Sequence, residues 1–218
     1  MRKLLFVIVL GFASLTTNVY AVDGVIEISN VTHIKQPGSY VLVNDIVVPN
    51  KMGMWIMASD VTLDLNGFSI RSGNGGVLDG LVINTTITNV EVKNGSIVGF
   101  PRYGVFAPAG PNPLANNLGL KLTNLRVRDN RLGGIQIQSR PGAMIQDSIV
   151  SNNGGSGIRI GAAALLVNNV IFNNASRGLW ATSSSAGYRS NVFYNNGSGD
   201  VAGGRNLGEN LCSGVICP

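Results

Sequence analysis

Eleven acids, sixteen bases and a single histidine are spread through this chain of 218 residues, so acid–base chemistry has few groups to draw on. Hydrolysis of a glycosidic bond needs two carboxylates flanking the bond, one protonated and one ionised. The acids that lie in regularly recurring segments are Glu91, Asp129 and Asp147. Asp129 and Asp147, with Arg159 as a cationic partner, form the candidate catalytic set. Both acids also have a structural account, since Asp129 stands where sister segments carry Asn152, Asn173 and Asn195, and Asp147 where they carry Asn124 and Asn168. Metal chemistry has less to work with. Cys212 and Cys217 make half a ligand set, and the only imidazole, His33, is remote in sequence. No metal and no cofactor are expected.

A second kind of chemistry is recognition by aromatic faces and guanidinium groups, and it depends on a repeat. A polar pair recurs as Asp129-Asn130, Asn152-Asn153, Asn173-Asn174 and Asn195-Asn196, at intervals of 23, 21 and 22 residues. Five residues after each pair comes an apolar residue, Ile135, Ile158, Leu179 or Val201, preceded in the first three copies by Gly134, Gly157 and Gly178. An earlier, less regular unit carries Tyr103-Gly104-Val105-Phe106 at the same place. The positions between inward residues are then Phe106, Gln136, Arg159 and Trp180. If successive units stack, these four form a line on one face, where rings meet sugar rings and Arg and Gln donate to hydroxyls or carboxylates. The alternative is that Trp180 is covered and only packs.

The elements that position this line follow from the period. Short alternating strands with no helical segment between them, recurring about every 22 residues, wind into a coil whose strands pair in parallel with those above and below. Inward Val, Ile and Leu form the core, and turn asparagines stack into a ladder. The expected fold is all-β, a single-stranded right-handed parallel β-helix with an N-terminal cap. Residues 22–60 are assigned to the cap and first coil, 61–205 to the repeats, and 206–218 to a closing segment. The prolines between residues 107 and 117 mark an inserted loop. The preceding strand of each unit turns out Arg128, Ser151, Phe172 and Tyr194, with Ile149, Val170 and Val192, a more apolar face suited to packing or self-association.

The runs Gln36-Pro37-Gly38-Ser39-Tyr40-Val41-Leu42 and Val61-Thr62-Leu63-Asp64-Leu65-Asn66-Gly67-Phe68, the Asn-Asn-Gly-x-x-Gly-Ile units and the final Asn210-Leu211-Cys212 resemble secreted bacterial proteins with right-handed parallel β-helix repeats, of the pectin-lyase-like superfamily. The resemblance covers essentially the whole mature chain. It implies the fold, and it admits polysaccharide lyases, glycoside hydrolases, epimerases, tailspikes and adhesins. The Asn-Thr-Asp, Asp-Asp and Gly-His-Gly motifs of polygalacturonases are absent, as is a compact acidic cluster for calcium.

Composition narrows the classes further. Met1-Arg2-Lys3, the apolar run Leu4–Ala13 and Val19-Tyr20-Ala21 read as an export signal cleaved after Ala21. The chain is then secreted or periplasmic, with no transmembrane segment after cleavage, and its cysteines pair as a short C-terminal disulfide. Losing Arg2 and Lys3 leaves a charge of +3 rather than +5, and the bases are dispersed, which disfavours nucleic acid. Three functions remain: a non-catalytic protein binding an extended polysaccharide or surface glycan, a polysaccharide lyase or glycoside hydrolase, and a self-associating surface protein.

Overall fold

A computed structural model describes residues 24–49, 53–73, 79–110, 119–138 and 141–217. The expected export signal, and the expected insertion from residue 111 onward, lie outside the described residues. All regular structure among the described residues is β-strand. One coil runs from Gly133–Ile137 through Ala143–Gln146 and Ile149–Ser151 to Ser156–Ile160, which pairs in parallel with Gly133–Ile137.

Each coil therefore has three strands where the sequence suggests two. The additional one, Ala143–Gln146 with its successors Ala164–Val167 and Ala186–Arg189, opens in each coil with Ala, a residue of weak strand preference. Two coils nearer the N-terminus run two of their three strands as one, Val90–Val98 and Leu120–Arg128. Each of these bends at an asparagine of positive φ, Asn94 and Asn124. They join two faces of the coil into one sheet of 16 strands, while the remaining face is a separate sheet of 8.

That separate sheet, hereafter the first face, stacks His33–Ile34, Met54–Ile56, Leu81–Ile83, Tyr103–Ala107, Gly133–Ile137, Ser156–Ile160, Leu179–Ala181 and Val201–Ala202. Residues assigned to the cap supply two of these strands, and Val25–Ile28 and Gly38–Leu42 pair in parallel on the larger sheet. At the other end Leu211–Cys212 lies on Val192–Tyr194, then turns back antiparallel as Val215–Ile216. The Cys212–Cys217 disulfide closes that hairpin.

The interior is a set of apolar columns. Ile97, Val127, Val150, Ile171 and Phe193 follow one another in register, as do Val105, Ile135, Ile158 and Leu179, all essentially inaccessible. Like stacks on like, so each coil buries the edges of its strands against the coils beside it, while its faces close on one another across a single core.

The corners divide the labour within each asparagine pair. The first member, Asn152, Asn173 or Asn195, adopts positive φ and faces solvent, a conformation that Asn and Asp tolerate better than other L-residues. The second member points inward. Asn130, Asn153, Asn174 and Asn196 are buried; the Oδ1 of Asn153, Asn174 and Asn196 each accepts both the backbone N–H and the side-chain Nδ2–H of the asparagine one coil below, at 2.9–3.2 Å, and the Oδ1 of Asn130 accepts the Phe100 N–H at 3.0 Å. A second buried ladder occupies another corner. There Ser148, Asn169, Asn191 and Asn210 continue in the same way.

Candidate binding face

Backbone register alone sets the residues of the first face in rows. On the outward row, His33, Trp55, Val82, Phe106, Gln136, Arg159, Trp180 and Ala202 are successive partners. The structure thus brings together Phe106, Gln136, Arg159 and Trp180, spaced by one coil of about 4.8 Å each. The row also extends past them to Trp55, which sequence reasoning assigned to the cap. The signal was present, since Gly53-Met54-Trp55-Ile56 and Gly80-Leu81-Val82-Ile83 share the glycine–apolar–x–apolar pattern of Gly157-Ile158-Arg159-Ile160.

Two hollows of about 170 Å³ each open along this row. In the C-terminal one, the Arg159 guanidinium lies 4.2 Å from the centre of the Trp180 ring, a cation–π contact that holds both side chains in place. Trp180 is 38% exposed, so it is not covered by any described part of the chain. Gln136 differs from the outward donor read from the sequence. It is buried in the floor of this hollow, and its Oε1 has no hydrogen-bond partner among the described residues. A buried acceptor left open suits a hydroxyl or water donor. Tyr103 forms the opposite wall, its ring stacked on Phe106 at 5.4 Å.

The N-terminal hollow is lined by Trp55, Val82, Phe106 and Pro108, with Asp79 and Arg102. Arg102 sits over both the Tyr103 and Phe106 rings, at 5.6 and 5.4 Å. Its Nη1 lies 3.4 Å from Asp79 Oδ2, while the Tyr103 N–H donates to Asp79 Oδ1 at 3.1 Å. Asp79 carries no signal in the sequence, since no neighbouring unit has an acid at its position. Burial pushes the Asp79 carboxyl above the ordinary carboxylate range, opposed by the Tyr103 N–H and Arg102.

A folded-state pKa above the unfolded value means that Asp79 favours the folded state below the ordinary carboxylate pKa. That contribution is lost as pH rises through the raised value. The urea midpoint of the wild type minus that of Asp79→Asn is therefore expected to fall across this interval. A difference that stays flat, measured by circular dichroism, would mean that burial is not what sets the Asp79 carboxyl.

The other candidates are dispersed. Asp129 occupies the positive-φ corner before Gly133–Ile137 and pairs with Arg128. Asp147 occupies a different corner, before Ile149–Ser151, and accepts from Asn168 Nδ2 at 2.7 Å. Neither lines the hollow that contains Arg159, so the structure does not assemble Asp129, Asp147 and Arg159 into one centre. Both acids hold the positive-φ corner that asparagines hold in sister coils. His33 stands at the end of the row, its ring 6.1 Å from that of Trp55. Among the described residues no cluster of three or more His, Cys, Asp or Glu is placed to hold a metal ion. The more apolar face keeps Phe172 and Tyr194 stacked at 4.7 Å, beside exposed Ile149 and Val192.

Comparison with curated proteins and with solved structures gives no match. Comparison with family models matches residues 19–210 to the right-handed β-helix region. The parallel three-stranded coils, the buried asparagine ladders and this match over most of the sequence agree, and the chain belongs to the right-handed β-helix family.

Proposed function

We propose that this chain is an exported, non-catalytic β-helix protein that binds an extended polysaccharide or surface glycan along its first face. The observation that carries the reading is the in-register row from Phe106 to Trp180, with the Arg159 guanidinium stacked on an exposed tryptophan. A pyranose unit of an extended chain is about as long as one coil is tall, so successive rings meet successive rungs. Aromatic faces take the C–H faces of the sugars, and the spare donors of Arg159, with the open Gln136 Oε1, take hydroxyls. Asp79 is the one carboxylate lining either hollow among the described residues, whereas the two-carboxylate hydrolysis described above needs a pair.

A glycan array probed with the mature protein beside Trp180→Ala tests this. Binding that weakens by about tenfold in the variant, the size of one lost aromatic contact, with no product released from the bound glycan, supports the proposal. Product release would move the assignment to a lyase or hydrolase.

A second reading rests on a different face. Ile149, Val170, Val192 and Leu211 are consecutive register partners and lie beside stacked Phe172 and Tyr194. A contiguous apolar stripe of this kind suits contact between copies. Sedimentation of the wild type against Val192→Asp decides it, since a self-associating protein dissociates on burying that charge.

A further inference from the structure

We infer that the Trp55 hollow is a second subsite of the same glycan-binding face, and that one ligand chain spans it together with the Trp180 hollow. This rests on the reading proposed above. Three observations lead to it. Trp55 and Trp180 occupy the same outward row, five rungs apart through Val82, Phe106, Gln136 and Arg159, or about 24 Å at the pitch of a parallel stack. The indole Nε1 of Trp55 is buried and has no hydrogen-bond partner among the described residues, an uncommon state for an indole N–H. The hollow beside it combines aromatic walls, Trp55 and Phe106, with a polar rim formed by Arg102 and Asp79, the combination that a sugar ring needs on its face and on its edge.

The two hollows also share a partition. Tyr103 lines one, Phe106 and Arg102 line the other, and the three are stacked on one another. A chain lying on the row therefore crosses from one hollow to the other over a continuous aromatic and cationic ridge. Arg102 is paired with Asp79 through Nη1, and a guanidinium with five N–H groups keeps donors for the hydroxyls of a passing ligand. Gly53 lets the rung that carries Trp55 sit close to its neighbour, because a Cβ there would stand 2.0 Å from the Gly80 carbonyl oxygen.

The chain has only two tryptophans, so each hollow carries its own fluorescent reporter. In Trp180→Phe only Trp55 emits, and in Trp55→Phe only Trp180 does. Each variant is titrated with an anionic ladder of oligouronates and a neutral ladder of cello-oligosaccharides, from disaccharide to octasaccharide, after circular dichroism confirms a native fold. The expected result is that Trp180 responds to short and long oligomers alike, whereas Trp55 responds only to those long enough to reach it. Affinity should rise by about tenfold once the second aromatic platform is engaged. A Trp55 signal that stays unmoved at every length while Trp180 responds overturns the second subsite and leaves the glycan face standing. No response from either tryptophan to either ladder removes both.

Discussion

Asn174→Ala is expected to cost the protein about 4 kcal/mol, on the scale of 1–3 kcal/mol for each buried polar group left unpaired. The side chain is 1% exposed and sits in the middle of a ladder. Its Oδ1 accepts the N–H of Asn153 at 3.2 Å and Asn153 Nδ2–H at 2.9 Å. Its Nδ2 donates to the carbonyl oxygens of Val150 and Phe172 and to Asn196 Oδ1. Truncation strands groups on three successive coils, and water has no access to replace the amide. The neighbouring Asn173→Ala provides the contrast. That residue faces solvent and accepts one exposed bond from Asn195, so the cost is the positive-φ penalty of about 1 kcal/mol. Urea denaturation of the two variants should separate them clearly. Equal midpoints would show that the inner ladder is not what ties the coils together.

Gly134→Ala is the second large effect, expected near 3 kcal/mol, the upper end for overpacking a tight interior. A Cβ at this position meets the Gly157 carbonyl oxygen at 2.5 Å, Val150 Cγ1 at 2.5 Å and Asn153 Nδ2 at 2.9 Å. The carbonyl belongs to the next coil and is fixed by parallel pairing, so it cannot yield without shifting the rung. The same substitution at Gly157 meets Asn174 Nδ2 at 2.7 Å and the Gly178 carbonyl oxygen at 2.9 Å. Two alanine variants at one column, one coil apart, should therefore behave alike in thermal melts. A tolerated alanine at either place would mean that the column is looser than its spacing implies.

These two predictions mark where the sequence was readable and where it was not. The pairs from Asp129-Asn130 to Asn195-Asn196 carry the period, and the period carries the parallel stack, because only stacking lets one polar pair serve every coil. The division within each pair was not readable. An Asn at positive φ and an Asn with a buried amide are the same letter, and only the backbone tells them apart. The second ladder was hidden because its first member is Ser148 and its partners do not fall in Asn-Asn doublets at every coil. Trp55 is hard to place from the sequence because its unit lacks the asparagine pair, although its glycine–apolar–x–apolar core is intact. Gln136 reads as outward by alternation, and so it is, but small and flat neighbours such as Gly155 and Ser156 form a recess in which an outward side chain is nevertheless buried.

The coil is also the unit in which length is counted. Within the part of the stack that carries both ladders, every turn adds one strand to each of three faces and one rung to each ladder, so whole turns there can be gained or lost without disturbing the joints that remain. Excising residues 153–173 would join Asn152 to Asn174 and set Gln136 directly against Trp180 on the first face, since Arg159 is the single rung between them. The surface would keep its chemistry and shorten by one step. A gene that slips by one repeat thus resizes the protein as a ruler is cut, at a mark already drawn.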